Sequence, residues 1–191
     1  MLDTGKRGEI IRASLELIAE HGFHGAPMSM IAEQAGVAAG TIYCYFENKD
    51  ALITNIYRDI DERIYAVIID GYEPTKPIRE RFHHLFTSLL RHFISNPFDF
   101  KYLEQFHNSP YGVAVRRDII LRKSGDCYIY RELLEEGVSL QVIKNLPMVI
   151  LFALAFGPLK AVVRDHILGF ITLDDALIDR IMDASWDGIR R

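Results

Sequence analysis

Apolar residues recur along this chain at steps of three and four, and no stretch alternates at steps of two. The pattern predicts helices throughout and no sheet. In the first helix, from about Lys6 to His21, Ile10, Ala13 and Leu17 interleave with Ile11, Leu15 and Ile18 to form one apolar face. Thr4 or Asp3 caps its start, and Gly22 stops it. Two short helices follow, separated near Gly36-Val37, with Pro27 in the first turn of the earlier one. Asn48 is a good N-cap for the next helix, on which Ile56, Ile60, Ile64 and Ile68 mark one stripe as far as Gly71. The stretch Glu73-Pro74-Thr75-Lys76-Pro77 reads as a linker.

The second part repeats the helical pattern. An amphipathic helix is expected over 78–95, broken at Asn96-Pro97, and a short one over 98–107, broken at Ser109-Pro110-Tyr111-Gly112. A segment over 113–137 follows, interrupted near Ser124-Gly125. Then comes a strongly apolar helix from Pro147 to Leu168, with Gly157-Pro158 as its kink. A last helix, capped by Thr172 or by the Asp174-Asp175 pair, is striped by Leu177, Ile178, Ile181, Met182, Ser185, Trp186 and Ile189.

Residues 28–52, MSMIAEQAGVAAGTIYCYFENKDAL, carry the most information. Their first helix turns Met30, Ile31 and Ala35 inward. Gly36 sits where a helix C-terminus needs a left-handed residue, which glycine adopts without steric cost. Val37 plugs the turn, and Gly40-Thr41 opens a helix carrying Ile42, Tyr43, Cys44, Tyr45 and Phe46, of which Ile42 and Phe46 belong to the core. This is the layout of a helix-turn-helix, whose second helix enters the major groove of DNA.

Three groups of residues together resemble the TetR/AcrR family of bacterial transcriptional regulators. They are Ile10 to Ile18 with Gly22-Phe23, then Ile31-Ala32 with Ala35-Gly36-Val37, then Gly40-Thr41-Ile42-Tyr43 with Tyr45-Phe46 and Lys49. The resemblance implies an all-α protein. Its N-terminal three-helix helix-turn-helix DNA-binding domain (1–52) is joined by a long helix to a helical ligand-binding and dimerisation domain (53–191). It implies a regulator, in most such proteins a repressor, that leaves a palindromic operator when a small apolar or amphipathic effector binds. It also implies a homodimer held by the last two helices, 147–168 and 174–190, that sets two recognition helices about one DNA turn apart, ~34–36 Å.

Carried over residue by residue, Ser29, Ala39, Gly40, Thr41, Tyr43, Cys44, Tyr45 and Lys49 fall on or near the DNA face. Thr41 would meet a phosphate or a thymine methyl, and its hydroxyl could equally cap the helix locally. Tyr43 and Tyr45 would donate to phosphate oxygens, which positions a protein without reading sequence. Lys49 would pair with a phosphate beside the next helix's N-terminus. Gly40 would let the backbone approach closely. The chain departs from the family in having Ala38-Ala39 where many members have Ser/Thr and Lys, and Ala26-Pro27-Met28 where many open the preceding helix with Thr. It therefore lacks the long polar side chains that read base edges, so specificity should lean on methyl contacts, the tyrosines and DNA shape. The resemblance also implies an effector cavity, for which Phe86, Tyr102, Phe106, His107, Arg122, Tyr128, Phe152 and Phe156 are candidates.

Composition limits the alternatives. With 191 residues, 49% hydrophobic and 25% charged, the chain is that of a folded globular protein. Two cysteines, Cys44 and Cys127, are too few and too far apart for a disulfide framework or a zinc site, and fit a reducing cytoplasm. The first ten residues carry no apolar stretch of a secretory signal. The run Leu146–Leu159 falls short of the ~20 residues that span a bilayer, so a buried or interface helix is expected instead of a membrane segment. No phosphate loop, metal motif or nucleophile elbow occurs, hence no catalytic residue, metal or cofactor is assigned. His83-His84 and His92 could suggest a metal, but the adjacent pair points to different helix faces, so solvated histidines are expected. The charge is the awkward feature: −4 overall and −3 over residues 1–55. DNA binding then needs charges segregated by face, with Lys6, Arg7 and Lys49 near the duplex. A helical small-molecule-binding protein or enzyme that does not bind DNA is the alternative reading.

Overall fold

The computed structural model describes residues 4–121 and 128–191. Within them the chain forms α1 (Thr4–Gly25), α2 (Met28–Gln34), α3 (Ala39–Tyr45), α4 (Lys49–Ile69), α5 (Ile78–Ser95), α6 (Pro97–His107), α7 (Pro110–Leu121), α8 (Tyr128–Ser139), α9 (Met148–Ile167) and α10 (Asp175–Ile189). Among the described residues no strand forms, and an isolated antiparallel bridge pairs Ile143 with Arg190. The helices fall into two compact units, one of residues up to Glu62 together with Asn96–Arg116, the other Arg63–Ser95 with Arg117–Arg191. These units are not continuous in sequence: α6 and the start of α7 join the N-terminal helices, and α4 contributes to both.

The first unit packs α1, α2, α3 and the first part of α4 around Ile10, Leu17, Ile18, Ile31, Ile42, Ile53, Ile56 and Ile60, all essentially inaccessible. α6 lies along α1 and adds Tyr102 and Phe106 to this core. The isoleucine stripe of α4 is buried along its length, as its four-residue spacing predicts. Gly22 breaks α1 as expected, at φ 75° and ψ 172°, a conformation only glycine adopts readily. The regular helix therefore ends one turn before Gly25, and the carbonyls of that last turn are left for other donors. Gln105 on α6 takes two of them: its Nε2 donates to the Ile18 carbonyl at 2.8 Å and the Ala19 carbonyl at 3.2 Å.

In the second unit α5 packs against α8, α9 and α10. Phe82 and Phe86 stack at 4.3 Å, and Trp186, Tyr130 and Phe156 close around them. Arg79 and Arg91 on α5 donate to Asp183 and Asp175 on α10 at 2.8 and 2.7 Å. Arg81, nearly buried, donates to Tyr72 Oη and to Glu136 on α8. Asp174 caps α10 by accepting from the Leu177 amide at 2.8 Å.

Two local expectations need correction. Met30 is exposed, because α2 turns Ile31 and Ala32 inward instead. The break expected over Ser109–Gly112 ends at Ser109, since Pro110 opens α7, a position where its missing N–H costs nothing. The interruption expected near Ser124-Gly125 lies outside the described residues; α7 ends at Leu121 and α8 begins at Tyr128. The apolar α9 is not buried all round: Leu151, Ala155, Leu159 and Val163 face the core, while Val149, Ile150 and Leu154 are exposed.

Candidate nucleic-acid interface

The turn between α2 and α3 is built as the sequence predicts. Gly36 takes φ 64°, and the Val37 amide closes back onto the Ala32 carbonyl at 3.0 Å. α3 begins after Ala38, whose side chain offers no capping acceptor. Ile42 and, just past the helix, Phe46 anchor α3 from below. That leaves Ala39, Gly40, Tyr43 and Cys44 on the outer face, with Tyr43 54% exposed, and Thr41 and Tyr45 at its margins. Cys44 Sγ hydrogen-bonds to the Gly40 carbonyl, so the thiol lies along its own helix. Ser29 is exposed on α2. A Cβ built on Gly40 would meet no atom of the protein within 4 Å. Nothing inside the fold requires glycine there. The outward surface of α3 is thus small, neutral and hydroxyl-bearing, able to approach a duplex closely but carrying no cation.

Of the three cations expected to border the duplex, Arg7 and Lys49 make contacts within the fold. Arg7 donates to Asn55 Oδ1 at 3.1 Å, lies 3.6 Å from Asp59, and stacks over the Phe46 ring at 5.6 Å, tying α1 to α4. Lys49, at the first residue of α4, is half-buried. Its Nζ donates to the carbonyls of Phe23 at 2.5 Å and Ala26 at 2.6 Å. Burial holds its pKa below the usual lysine value, against an opposing pull from Asp50. Asn48 caps α4 through its Oδ1 and the Ala51 amide at 2.8 Å. Lys6 and Arg12 are exposed on α1.

A second group of side chains gathers at the same end of α4. Tyr111 on α7 donates to Asp50 Oδ1 at 2.8 Å, and that bond, reinforced by burial, raises the phenol's pKa. Tyr102 donates to the Ile53 carbonyl at 2.6 Å, and its burial pushes the phenol far above the usual range. Phe23 packs against both rings. Sequence reasoning missed Tyr111, Gln105 and the inward turn of Lys49. Gln105 depends on α6 folding back onto α1, Tyr111 on the return of α7 to the start of α4, and Lys49 on the path of the chain past Gly22, none of which a local pattern encodes.

The proposed effector residues divide between the two units. Phe86, Phe152 and Phe156 cluster with Tyr130 in the second. Tyr102, Phe106 and His107 lie in the first, where Tyr57 stacks on Phe106 at 4.4 Å and meets His107 edge-on. Tyr128 is exposed and bonded to Glu132, which raises its pKa. Arg122 lies outside the described residues. The second unit also has an open cleft of about 380 Å³ where α4 turns into α5, bordered by Tyr72, Lys76, Arg79, Arg81, His83 and His84. Its walls are polar, unlike the aromatic cavity expected. Among the described residues no group of metal-ligating side chains occurs, and no helix is long and apolar enough to cross a membrane.

Comparison with known proteins gives two family-model matches. "Bacterial regulatory proteins, tetR family" matches residues 10–56, and "Tetracyclin repressor-like, C-terminal domain" matches residues 77–190. A Bacillus subtilis "Fatty acid metabolism regulator protein" is 49% identical over 51 residues, 27% of this chain and 26% of its own length. An HTH-type transcriptional regulator of Haemophilus influenzae is 30% identical over 102 residues, 53% of this chain and 54% of its own. The matched stretches thus span from a quarter to about half of these relatives. Among solved structures, a TetR family regulator from Marinobacter aquaeolei superposes with TM-score 0.83 at 24% identity, covering 97% of this chain and 95% of that one. The regulator FadR of B. subtilis, in complex with stearoyl-CoA, superposes with TM-score 0.75 at 21% identity, covering 96% and 99%. At these identities the structures speak for the fold alone.

Proposed function

We infer from this chain's place in the tetR family of bacterial regulatory proteins, to which it belongs, that it is a DNA-binding transcriptional regulator whose hold on DNA responds to a small molecule. The single observation that carries the reading is the outer face of α3. It is raised clear of the core by Ile42 and Phe46 and presents Ala39, Gly40, Thr41, Tyr43 and Cys44 on the reading helix of a helix-turn-helix. Ser29, and Tyr45 at the margin, extend that face. Homologous regulators bind DNA and small-molecule effectors and are not enzymes.

The finer assignments are a helix-turn-helix domain over 1–52 and an effector-binding, dimerising domain over 53–191. Two copies associate through α9 and α10. The exposed Val149, Ile150 and Leu154 on α9 support this, being large apolar side chains left in part to solvent. The operator is then palindromic, and effector binding favours a spacing of the two α3 helices that no longer fits successive grooves. Repression follows as the mode of action, and the cytoplasm as the compartment where its DNA lies. The effector is apolar or amphipathic, held near Phe86, Phe152 and Phe156. A long-chain acyl thioester is the first compound class to test, since FadR of the same fold holds stearoyl-CoA.

The test is a mobility-shift titration, at low salt, against the DNA upstream of the chain's own gene and its neighbours. A shift that saturates on one palindromic segment is expected, and it should reverse on adding a palmitoyl or stearoyl thioester. Failure to shift any of these segments refutes the regulator. A shift that no acyl thioester reverses refutes only the effector class.

A further inference from the structure

We propose that the open cleft where α4 turns into α5 binds a small zwitterion, a free amino acid or a close analogue that presents both a carboxylate and an ammonium. The site is separate from the aromatic cluster around Phe86, and it stands whether or not the chain binds DNA.

A site for a small polar molecule is marked by hydrogen-bonding groups that the fold brings to one cavity and leaves unspent. The cleft, of about 380 Å³, has room for a molecule of that size. Its wall includes Arg81, only 6% exposed, and a buried guanidinium is costly unless its donors are matched. Nε donates to the Tyr72 hydroxyl at 2.9 Å and Nη1 to Glu136 at 2.7 Å, but no described residue accepts from Nη2. Nε and Nη2 point the same way along one edge of the guanidinium, an edge that suits planar acceptors such as carboxylates. An oxygen bound at Nη2 therefore lies beside Tyr72 Oη. The hydrogen of that phenol is given to no described residue, so the oxygen accepts from both groups.

The same cleft has unspent acceptors. His84 Nε2 lies 3.1 Å from the Ile68 carbonyl, which can only accept, so Nε2 is the donor and Nδ1 the bare nitrogen of the neutral ring. Glu80 forms no ion pair among the described residues. The other charges of the wall are matched: Lys76 by Glu73 at 2.8 Å, Arg79 by Asp183 at 2.8 Å and Arg81 by Glu136 at 2.7 Å. With neutral imidazoles, the charge left over is that of Glu80, which favours an ammonium. A plain anion would find the guanidinium already partly neutralised and Glu80 repelling it. A plain amine would leave Nη2 unfilled. A zwitterion meets both needs.

The test is thermal melting of the full chain against the free L-amino acids one at a time, at fixed ionic strength, followed by calorimetric titration of the strongest. At least one should raise the melting temperature saturably. Its decarboxylated amine should bind at least about tenfold more weakly, since Nη2 and the Tyr72 hydroxyl lose their acceptor. E80Q changes an exposed side chain and should weaken the parent amino acid by about threefold, the scale of an exposed ion pair. R81M should abolish binding; if it does not fold, Y72F tests the same donors and should cost about fivefold. The proposal is overturned if no amino acid gives a saturable shift, if the decarboxylated amine or the N-acetyl derivative binds as tightly as the parent, or if these variants bind as the unmodified chain does. A shift with inorganic phosphate and with no amino acid also overturns it, and makes the cleft a plain anion site. None of these outcomes bears on the DNA titration.

Discussion

Replacing Gly40 by alanine should strengthen the fold and weaken DNA binding, and the opposite signs are what make the test informative. Gly40 is the second residue of α3, is exposed, and has an ordinary negative φ. A methyl added there meets nothing within 4 Å. Alanine at a compatible helical site narrows the unfolded ensemble and stabilises by about 0.4–1 kcal/mol. For a chain of this length that raises the melting temperature by roughly 1–4 °C. On the DNA side the methyl stands off the backbone by about 1.5 Å. A backbone–phosphate hydrogen bond near ~2.9 Å cannot absorb that displacement and remain within bonding range. Losing one such charged bond at about 1.5–3 kcal/mol lowers affinity by roughly ten- to hundredfold. Thermal melting and an anisotropy titration on the palindromic segment measure the two quantities on one preparation. A stabilised G40A that binds as well as the unmodified chain would show that the Gly40 backbone does not face the duplex, and the placement of α3 against DNA would have to be abandoned.

Two further outcomes follow from the same reasoning. G22A forces a side chain into φ 75°, with its Cβ 3.1 Å from Gln105 Oε1, and should cost about 1–3 kcal/mol in thermal or urea unfolding; a neutral G22A would mean that the α1 break is not held in solution. Asp183 has its pKa lowered, first by the bond from Arg79 and then by His83. A depressed carboxylate stabilises above its unfolded pKa and loses that contribution as pH falls through the folded value, so D183N should flatten the decline of melting temperature below about pH 4. Parallel pH profiles for D183N and the unmodified chain would refute the tie between α5 and α10.

Much of this was written in the sequence. The isoleucine stripe, the Gly36 turn, the Asn48 and Asp174 caps and the burial of Ile42 and Phe46 are all consequences of residues within a few positions of one another, where periodicity and capping act. The exposure of Tyr43 follows from the same spacing. What could not be read was the company of residues brought together from far apart. Tyr102 and Phe106 look like the wall of an effector cavity as long as α6 is grouped with its sequence neighbours. They become core of the first unit once α6 lies along α1. Lys49 is recognisable from its place at a helix start, but that its Nζ reaches the Phe23 and Ala26 carbonyls depends on the path of the chain past Gly22.

That inward turn of charge bears on the oddest property of the chain, an N-terminal region with net charge −3 over its first 55 residues. Arg7 is engaged with Asn55, Asp59 and Phe46, and Lys49 with backbone oxygens, so two of the four basic side chains in that region serve the fold. Counterion release from phosphate contacts supplies nearly all non-specific binding, so a reading head with few outward cations holds random DNA weakly. Specificity is a ratio, and it can be raised by lowering the denominator. Ala38 and Ala39 forgo the long side chains that would strengthen the specific complex; the sparse outward charge weakens the competing one. Selectivity then depends on how closely α3 can be presented at a fixed height and angle, because close fit is the main thing the correct site can offer that random DNA cannot. Rigid mounting of α3 is therefore worth more here than another surface lysine.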